Sequence, residues 1–255
     1  MAEPDRESFE SLVRPLLPKL RSFALRMVAH PDDAEELVQD ALLKAHRGLA
    51  SYRGGSALST WVFSILTRCC LDHLRKRRRW RWDAQHHARA DPDAPHDEVM
   101  AMLAKPGSEY DAREHLAFCF SCVARSLSPE EAAALLLREV FEFSNREAAA
   151  ICGVSESVLR HRLSAARHAM QDAYEGLCGL VAKTGVCHQC SGLRDAAPAR
   201  NRGVPTPELP ASREGRWRVR LDVVRDADLL DGKAADLHRF MFRLVGTVES
   251  NDRNA

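Results

Sequence analysis

No run of this 255-residue chain approaches the apolar length of a membrane-spanning helix, which needs about eighteen or more residues. Nor do residues 1–20, with their acidic side chains and prolines, carry the apolar core of a secretion signal. The chain is therefore expected in the cytoplasm. A Gly-rich phosphate loop is missing, and no Ser/His/Asp or paired-carboxylate arrangement has a convincing context. An enzyme is not expected. Net charge is nearly absent, at +1 from 37 Lys+Arg and 36 Asp+Glu, so global charge identifies no partner. Local charge does more. Asp32, Asp33, Glu35, Glu36 and Asp40 form an acidic patch, and Arg68, Arg75, Lys76, Arg77, Arg78, Arg79 and Arg81 a basic one.

Helical periodicity dominates what is present. Asp32 reads as an N-cap with Glu35 three residues on, as in a capping box. Ala34, Leu37, Val38, Ala41, Leu42 and Ala45 follow at helical spacing. Gly48 and Gly54-Gly55 break that pattern. A second helix is predicted from about Thr60 to Arg79, burying Trp61, Val62, Ile65, Leu66 and Cys69. Phe9 to Val28 reads as another, interrupted at Pro15 and Pro18.

Residues 83–111 lose the periodicity and read as a linker rich in Asp, Ala, His and Pro. A second helical block covers 112–175. Ser128-Pro129-Glu130-Glu131 and Ser144-Asn145-Arg146-Glu147 each open a helix with a capping signature. Gly153 ends the latter helix and Ser155 caps the next. Residues 192–215 read as another linker. Beyond it, Trp217, Val219, Leu221 and Val223 alternate with Arg216, Arg218, Arg220 and Asp222, a strand signal. Leu237, Phe240, Met241, Leu244, Val245 and Val248 form an apolar helical stripe. One strand and one helix cannot build a core alone, so this tail is expected to dock on the chain or on a partner.

Helix, glycine turn, helix from Ser144 to Met170 is a helix-turn-helix. Its second helix would expose Ser155, Glu156, Ser157, Arg160, His161, Arg162 and Arg167, placed to reach base edges and phosphates. Solvated arginines on an ordinary helical pair are the plainer reading. From Tyr52 to Trp82, arginines on one helix make a phosphate-tracking surface beside Tyr52, Trp61, Trp80 and Trp82, whose rings suit unstacked bases. Here too a core Trp61 and a merely solvated basic face compete.

Residues 8–82 and 113–172 together resemble the second and fourth conserved regions of bacterial RNA polymerase sigma factors, and the two-domain layout resembles that of the extracytoplasmic-function (ECF) group of the sigma-70 family. The matching stretches are Asp33-Ala34-Glu35-Glu36-Leu37-Val38-Gln39, Tyr52-Arg53-Gly54, Thr60-Trp61, Asp72-His73-Leu74-Arg75 and Ser144-Asn145-Arg146-Glu147-Ala148-Ala149. The resemblance implies an all-α fold of two helical domains, region 2 over 8–82 and region 4 over 112–175, joined by the 83–111 linker. A small strand/helix extension over 176–255 would follow. It implies that Asp33, Glu36, Gln39 and Asp40 dock on core RNA polymerase. The loop carrying Tyr52 and Arg53, with Trp61, would open the −10 element and hold a flipped base, while Arg68, Arg75, Arg77 and Arg78 grip the strand. The helix from Ser155 would read the −35 element. Leu159-Arg160-His161-Arg162 departs from the family's common run there. The implied partners are core RNA polymerase, double- and single-stranded promoter DNA and, in some members, an anti-sigma factor. A helix-turn-helix regulator working without polymerase is the alternative, and the acidic helix distinguishes the two.

Eight cysteines in a cytoplasmic chain point to metal, redox or core thiols before disulfides. Cys119-x-x-Cys122 and Cys187-x-x-Cys190, with Cys178, could enclose a zinc or form a thiol–disulfide switch. His115-x-x-x-Cys119-x-x-Cys122 is similar to a motif of zinc-binding anti-sigma factors. No cofactor is otherwise required. Cys119 and Cys122 share a helical face with Leu116 and Val123, so core thiols compete with both readings. A thiol redox enzyme using Cys187 and Cys190 would need a strand–helix context that neither pair has.

Overall fold

The computed structural model describes residues 6–77, 101–106, 109–177, 197–205 and 207–251. Among them the regular structure is helical and no strand occurs. In chain order the helices are α1 (Arg6–Val13), α2 (Leu17–Val28), α3 (Pro31–Gly48), α4 (Leu58–Arg77), α5 (Ala112–Val123), α6 (Pro129–Leu135), α7 (Asn145–Cys152), α8 (Glu156–Leu177), α9 (Arg213–Asp226) and α10 (Ala235–Asn251). They group into two compact units, Met1–Arg79 with Pro129–Ser164, and Trp80–Ser128 with Ala165–Ala255.

In the first unit, α1 passes through a 3-10 turn at Arg14–Leu16 into α2. Pro15 sits in that turn and Pro18 in the first turn of α2, where a missing N–H costs nothing. The entry to α3 differs from the capping box expected at Asp32. His30 is the N-cap, its Nδ1 accepting from Asp33 N at 3.3 Å, and Pro31 opens the helix. Proline's fixed φ suits that first position, and imidazole replaces the carboxylate as acceptor. Helices α2, α3 and α4 pack on one another, and α6 and α7 pack on α4. Apolar residues fill the space between, among them Phe23, Leu25, Met27, Val38, Phe63, Leu66 and Leu135. Phe23 and Phe63 meet edge-on at 5.5 Å, Phe141 lies 5.5 Å from Phe23, and Phe143 lies 4.9 Å from Phe63. The last two follow a π-helical turn at Leu136–Val140 that ends α6.

In the second unit, α9 and α10 pack on α5. The strand expected at Trp217–Val223 is helix α9, capped by Ser212, whose Oγ accepts from Gly215 N at 3.1 Å. Its buried residues are Trp217, Arg220, Leu221, Val223 and Val224, of which Trp217, Arg220, Leu221 and Val224 are spaced i, i+3, i+4, i+7. Arg220 concealed this stripe. Its guanidinium carbon stands 4.2 Å over the Tyr174 ring, so a formally polar residue belongs to the apolar face. Stretches expected as linkers also contribute core: Leu103, Tyr110 and Ala197 are buried. Tyr110 N donates to Asn201 O at 2.8 Å, and Asn201 Nδ2 to Leu103 O at 2.8 Å. Gly203, at φ 60°, passes so close to Tyr110 that a Cβ would stand 1.9 Å from its carbonyl oxygen. Only glycine fits there.

Candidate nucleic-acid interface

The helix-turn-helix is built as its local sequence dictates. Ser144 Oγ accepts from Glu147 N at 3.2 Å, and Glu147 Oε2 accepts from Ser144 N at 2.9 Å, a reciprocal capping box. The Ser144 hydroxyl also donates to Glu147 Oε2 at 2.6 Å, and this bond, with the one from Ser144 N, holds the Glu147 carboxyl below its ordinary pKa. Gly153, at φ 67°, closes α7 in the left-handed region. Ser155 Oγ then accepts from Val158 N at 3.3 Å to open α8. Leu159, Leu163, Ala166 and Met170 are buried along one stripe of α8. Ser155, Glu156, Ser157, Arg160, His161 and Arg167 are exposed, and Arg162 is half-buried.

On α3, Glu36, Gln39 and Asp40 are exposed while Leu37 and Val38 are buried. Asp33 is also buried, its carboxylate 3.2 Å from His73 Nε2, so it ties α3 to α4 and is turned away from solvent. Leu43 is 55% exposed and shares the face of Glu36, Gln39 and Asp40 by helical spacing. Sequence periodicity selected its neighbour Leu42 and passed over it, because an exposed leucine gives no pattern. Glu36, Asp40, Lys44, Cys69, Asp72, His73 and Lys76 ring a cavity of about 190 Å³ between α3 and α4, in which Lys44 Nζ lies 3.2 Å from Cys69 Sγ.

At the start of α4, Tyr52 stacks on Trp61 with centroids 4.9 Å apart and planes 27° from parallel. The Tyr52 hydroxyl donates to Ser56 O, and Gly54, at φ 69°, turns the loop between them. Both rings are half-buried, so Trp61 is neither wholly core nor free. Trp61 also presses on Gly48, where a Cβ would meet the indole at 3.3 Å. Arg53 and Arg68 are exposed. Arg75 is exposed and bonds Asp72 at 3.1 Å and Glu130 at 2.9 Å, pairs that salt or a phosphate can displace. Arg77 closes α4. Arg78 lies outside the described residues.

The cysteines separate into three sets. Cys178, Cys187 and Cys190 lie outside the described residues. Cys119 is half-buried and Cys122 buried on α5. Cys69 and Cys70 are buried and Cys152 half-buried. Burial pushes the Cys152 thiol up to about 11. His115 is a core residue, its ring among Tyr110, Phe118 and His238, with Nδ1 3.3 Å from His238 Nε2. Burial lowers its pKa to about 4. Among the described residues no group of three or more His, Cys, Asp or Glu is placed to hold a metal ion. Nor is any described helix long and apolar enough to cross a membrane.

Residues 12–80 match the family model for Sigma-70 region 2, and residues 117–170 that for Sigma-70, region 4. The chain is 30% identical over 163 residues to the ECF RNA polymerase sigma factor SigM of Mycobacterium tuberculosis (strain ATCC 25618 / H37Rv), covering 64% of this chain and 75% of that protein. It is 31% identical over 165 residues to the ECF RNA polymerase sigma factor EcfG of Rhodopseudomonas palustris (strain TIE-1), covering 64% and 83%. A solved complex of the sigma factor RpoE with the anti-sigma factor NepR from Bartonella quintana is similar at 29% identity, over 66% of this chain and 98% of that one, with a TM-score of 0.48.

Proposed function

Because the chain belongs to the extracytoplasmic-function group of RNA polymerase sigma factors, and so binds core RNA polymerase and directs promoter-specific initiation, we propose which surfaces carry each step. The exposed α3 face of Glu36, Gln39 and Asp40, with Leu43 as its apolar element, docks on the polymerase. Asp33 shapes this face from within through His73. The Tyr52–Trp61 stack and the loop around Gly54 receive an unstacked base of the −10 element, since an aromatic platform offsets the few kcal/mol that unstacking costs. Arg53, Arg68, Arg75, Arg77 and Arg78 hold the adjacent phosphates. Helix α8 lies in the major groove of the −35 element, with Ser155, Glu156, Ser157, Arg160, His161 and Arg162 toward the bases and Arg167 toward the backbone. Polymerisation chemistry belongs to the core enzyme. Region 2 occupies residues 8–82 and region 4 residues 112–175, with 83–111 between them.

The observation that carries this reading is the capped α7–Gly153–α8 unit, which presents one polar face of α8 and buries the other. Run-off transcription with core polymerase tests it. Glu36→Lys with Asp40→Lys is expected to abolish core binding. Arg160→Ala should leave core binding intact and lose the specific transcript. Core binding unchanged by the first pair would refute the α3 assignment.

Residues 176–255 form a regulatory extension in this reading. Its support is the docking of α9 and α10 on α5. Arg216 forks onto Glu175, with Nε to Oε1 at 3.0 Å and Nη2 to Oε2 at 2.7 Å. Truncation after Glu175 should change transcription. Metal content beside a Cys187→Ser, Cys190→Ser variant tests a zinc role for Cys119, Cys122, Cys178, Cys187 and Cys190. About one zinc per parent chain and none in the variant would establish that role, and none in either would remove it.

A further inference from the structure

We propose that Val158 is a specificity-determining residue of this chain, reading the C5-methyl group of one thymine in the −35 element. The inference rests on α8 being the −35 helix. Val158 is 43% exposed in the first turn of α8. Its neighbours on the outward face, Ser155, Glu156, Ser157, Arg160 and His161, are all exposed and all polar or charged. Among these six, only Val158 is unable to donate or accept a side-chain hydrogen bond. Its backbone is pinned, because Val158 N donates to Ser155 Oγ at 3.3 Å. The following residue, Leu159, is wholly buried, which fixes the rotation of the helix about its axis. A β-branched side chain on a helix holds one χ1 well, so Val158 presents its methyl groups at a defined place with little entropy left to lose.

The major groove offers such a group one apolar counterpart. Base edges there display hydrogen-bond donors and acceptors, and the single hydrocarbon feature is the thymine methyl. The first turn of a recognition helix is the part that contacts base edges. Serine, glutamate, arginine and histidine at the neighbouring positions read donors and acceptors, and Val158 adds the apolar term. Burying one methyl group corresponds to about a fourfold change in affinity.

The test uses the full chain with core polymerase. A duplex is first enriched from a random −35 pool, and each of its thymines is then replaced singly by deoxyuridine, which lacks only the methyl. At one thymine the parent is expected to weaken about fourfold. Val158→Ala should bind the thymine duplex about as weakly and be indifferent to the replacement there. Thermal unfolding of Val158→Ala should match the parent, since the site is exposed. If every deoxyuridine effect is the same in parent and variant, or if the enriched element holds no thymine, the proposal is overturned while the −35 reading stands. Failure to enrich any element would overturn the −35 reading itself, and the proposal with it.

Discussion

Removing the ring of Phe63 tests whether the segment that leads into the helix-turn-helix is folded on the N-terminal helices. Phe63 is 1% exposed. Its ring meets Phe23 at 5.5 Å, Phe141 at 5.8 Å and Phe143 at 4.9 Å. Truncating a buried phenylalanine to alanine costs about 3–5 kcal/mol in lost burial and cavity. Three ring neighbours, each worth about 0.5–1.5 kcal/mol beyond area, place Phe63→Ala near the top of that range. Domain stabilities are about 5–15 kcal/mol, so this variant should be at the margin of folding. The sharper test is a cycle of Phe63→Leu, Phe143→Leu and the double variant, followed by urea unfolding with far-UV circular dichroism. Leucine keeps the site apolar, so each single change should stay measurable. A coupling of about 0.5–1.5 kcal/mol is expected. Additivity within about 0.3 kcal/mol would mean that Phe143 does not rest on α4, and the packing of this unit would be refuted.

Four further outcomes follow from local chemistry. Ser144→Ala should cost about 1 kcal/mol, the usual worth of an N-cap. Glu147 has a folded pKa below its ordinary 4.5, so its contribution is present above that value and is lost as pH falls through the lower, folded one; Glu147→Gln should flatten urea-unfolding midpoints across that acid window. His115 and His238 are buried with pKa values lowered from 6.5. The unfolded chain then binds more protons between 6.5 and the folded values, and stability should fall as pH drops from 6.5 toward about 4, by up to about 1.4 kcal/mol per pH unit for each histidine. Glu114, near His238 and raised by burial, acts in the opposite sense just above 4.5. His115→Asn with a pH series of unfolding midpoints should show the shallower slope. The Arg216–Glu175 fork should couple by about 1 kcal/mol in an alanine cycle and weaken in high salt.

Much of this molecule is legible in its one-dimensional pattern. Local rules located α2 behind its prolines, the capping box at Ser144–Glu147, the turn at Gly153 and the Ser155 cap, because each depends on bonds spanning a few residues. The family motifs in 33–40, 52–61, 72–75 and 144–149 carried the function, since they are properties of sequence alone. The packing partners decided the rest. Alternation at Trp217–Val223 imitates a strand until Arg220 is seen against Tyr174, because only a neighbouring ring can turn an arginine into part of an apolar face. Asp33 reads as one of several surface carboxylates until α4 brings His73 to it. Whether Leu43 and Val158 are exposed is likewise decided by their neighbours in space. An apolar letter does not say whether its surroundings cover it, and that coverage is set by contacts distant in sequence.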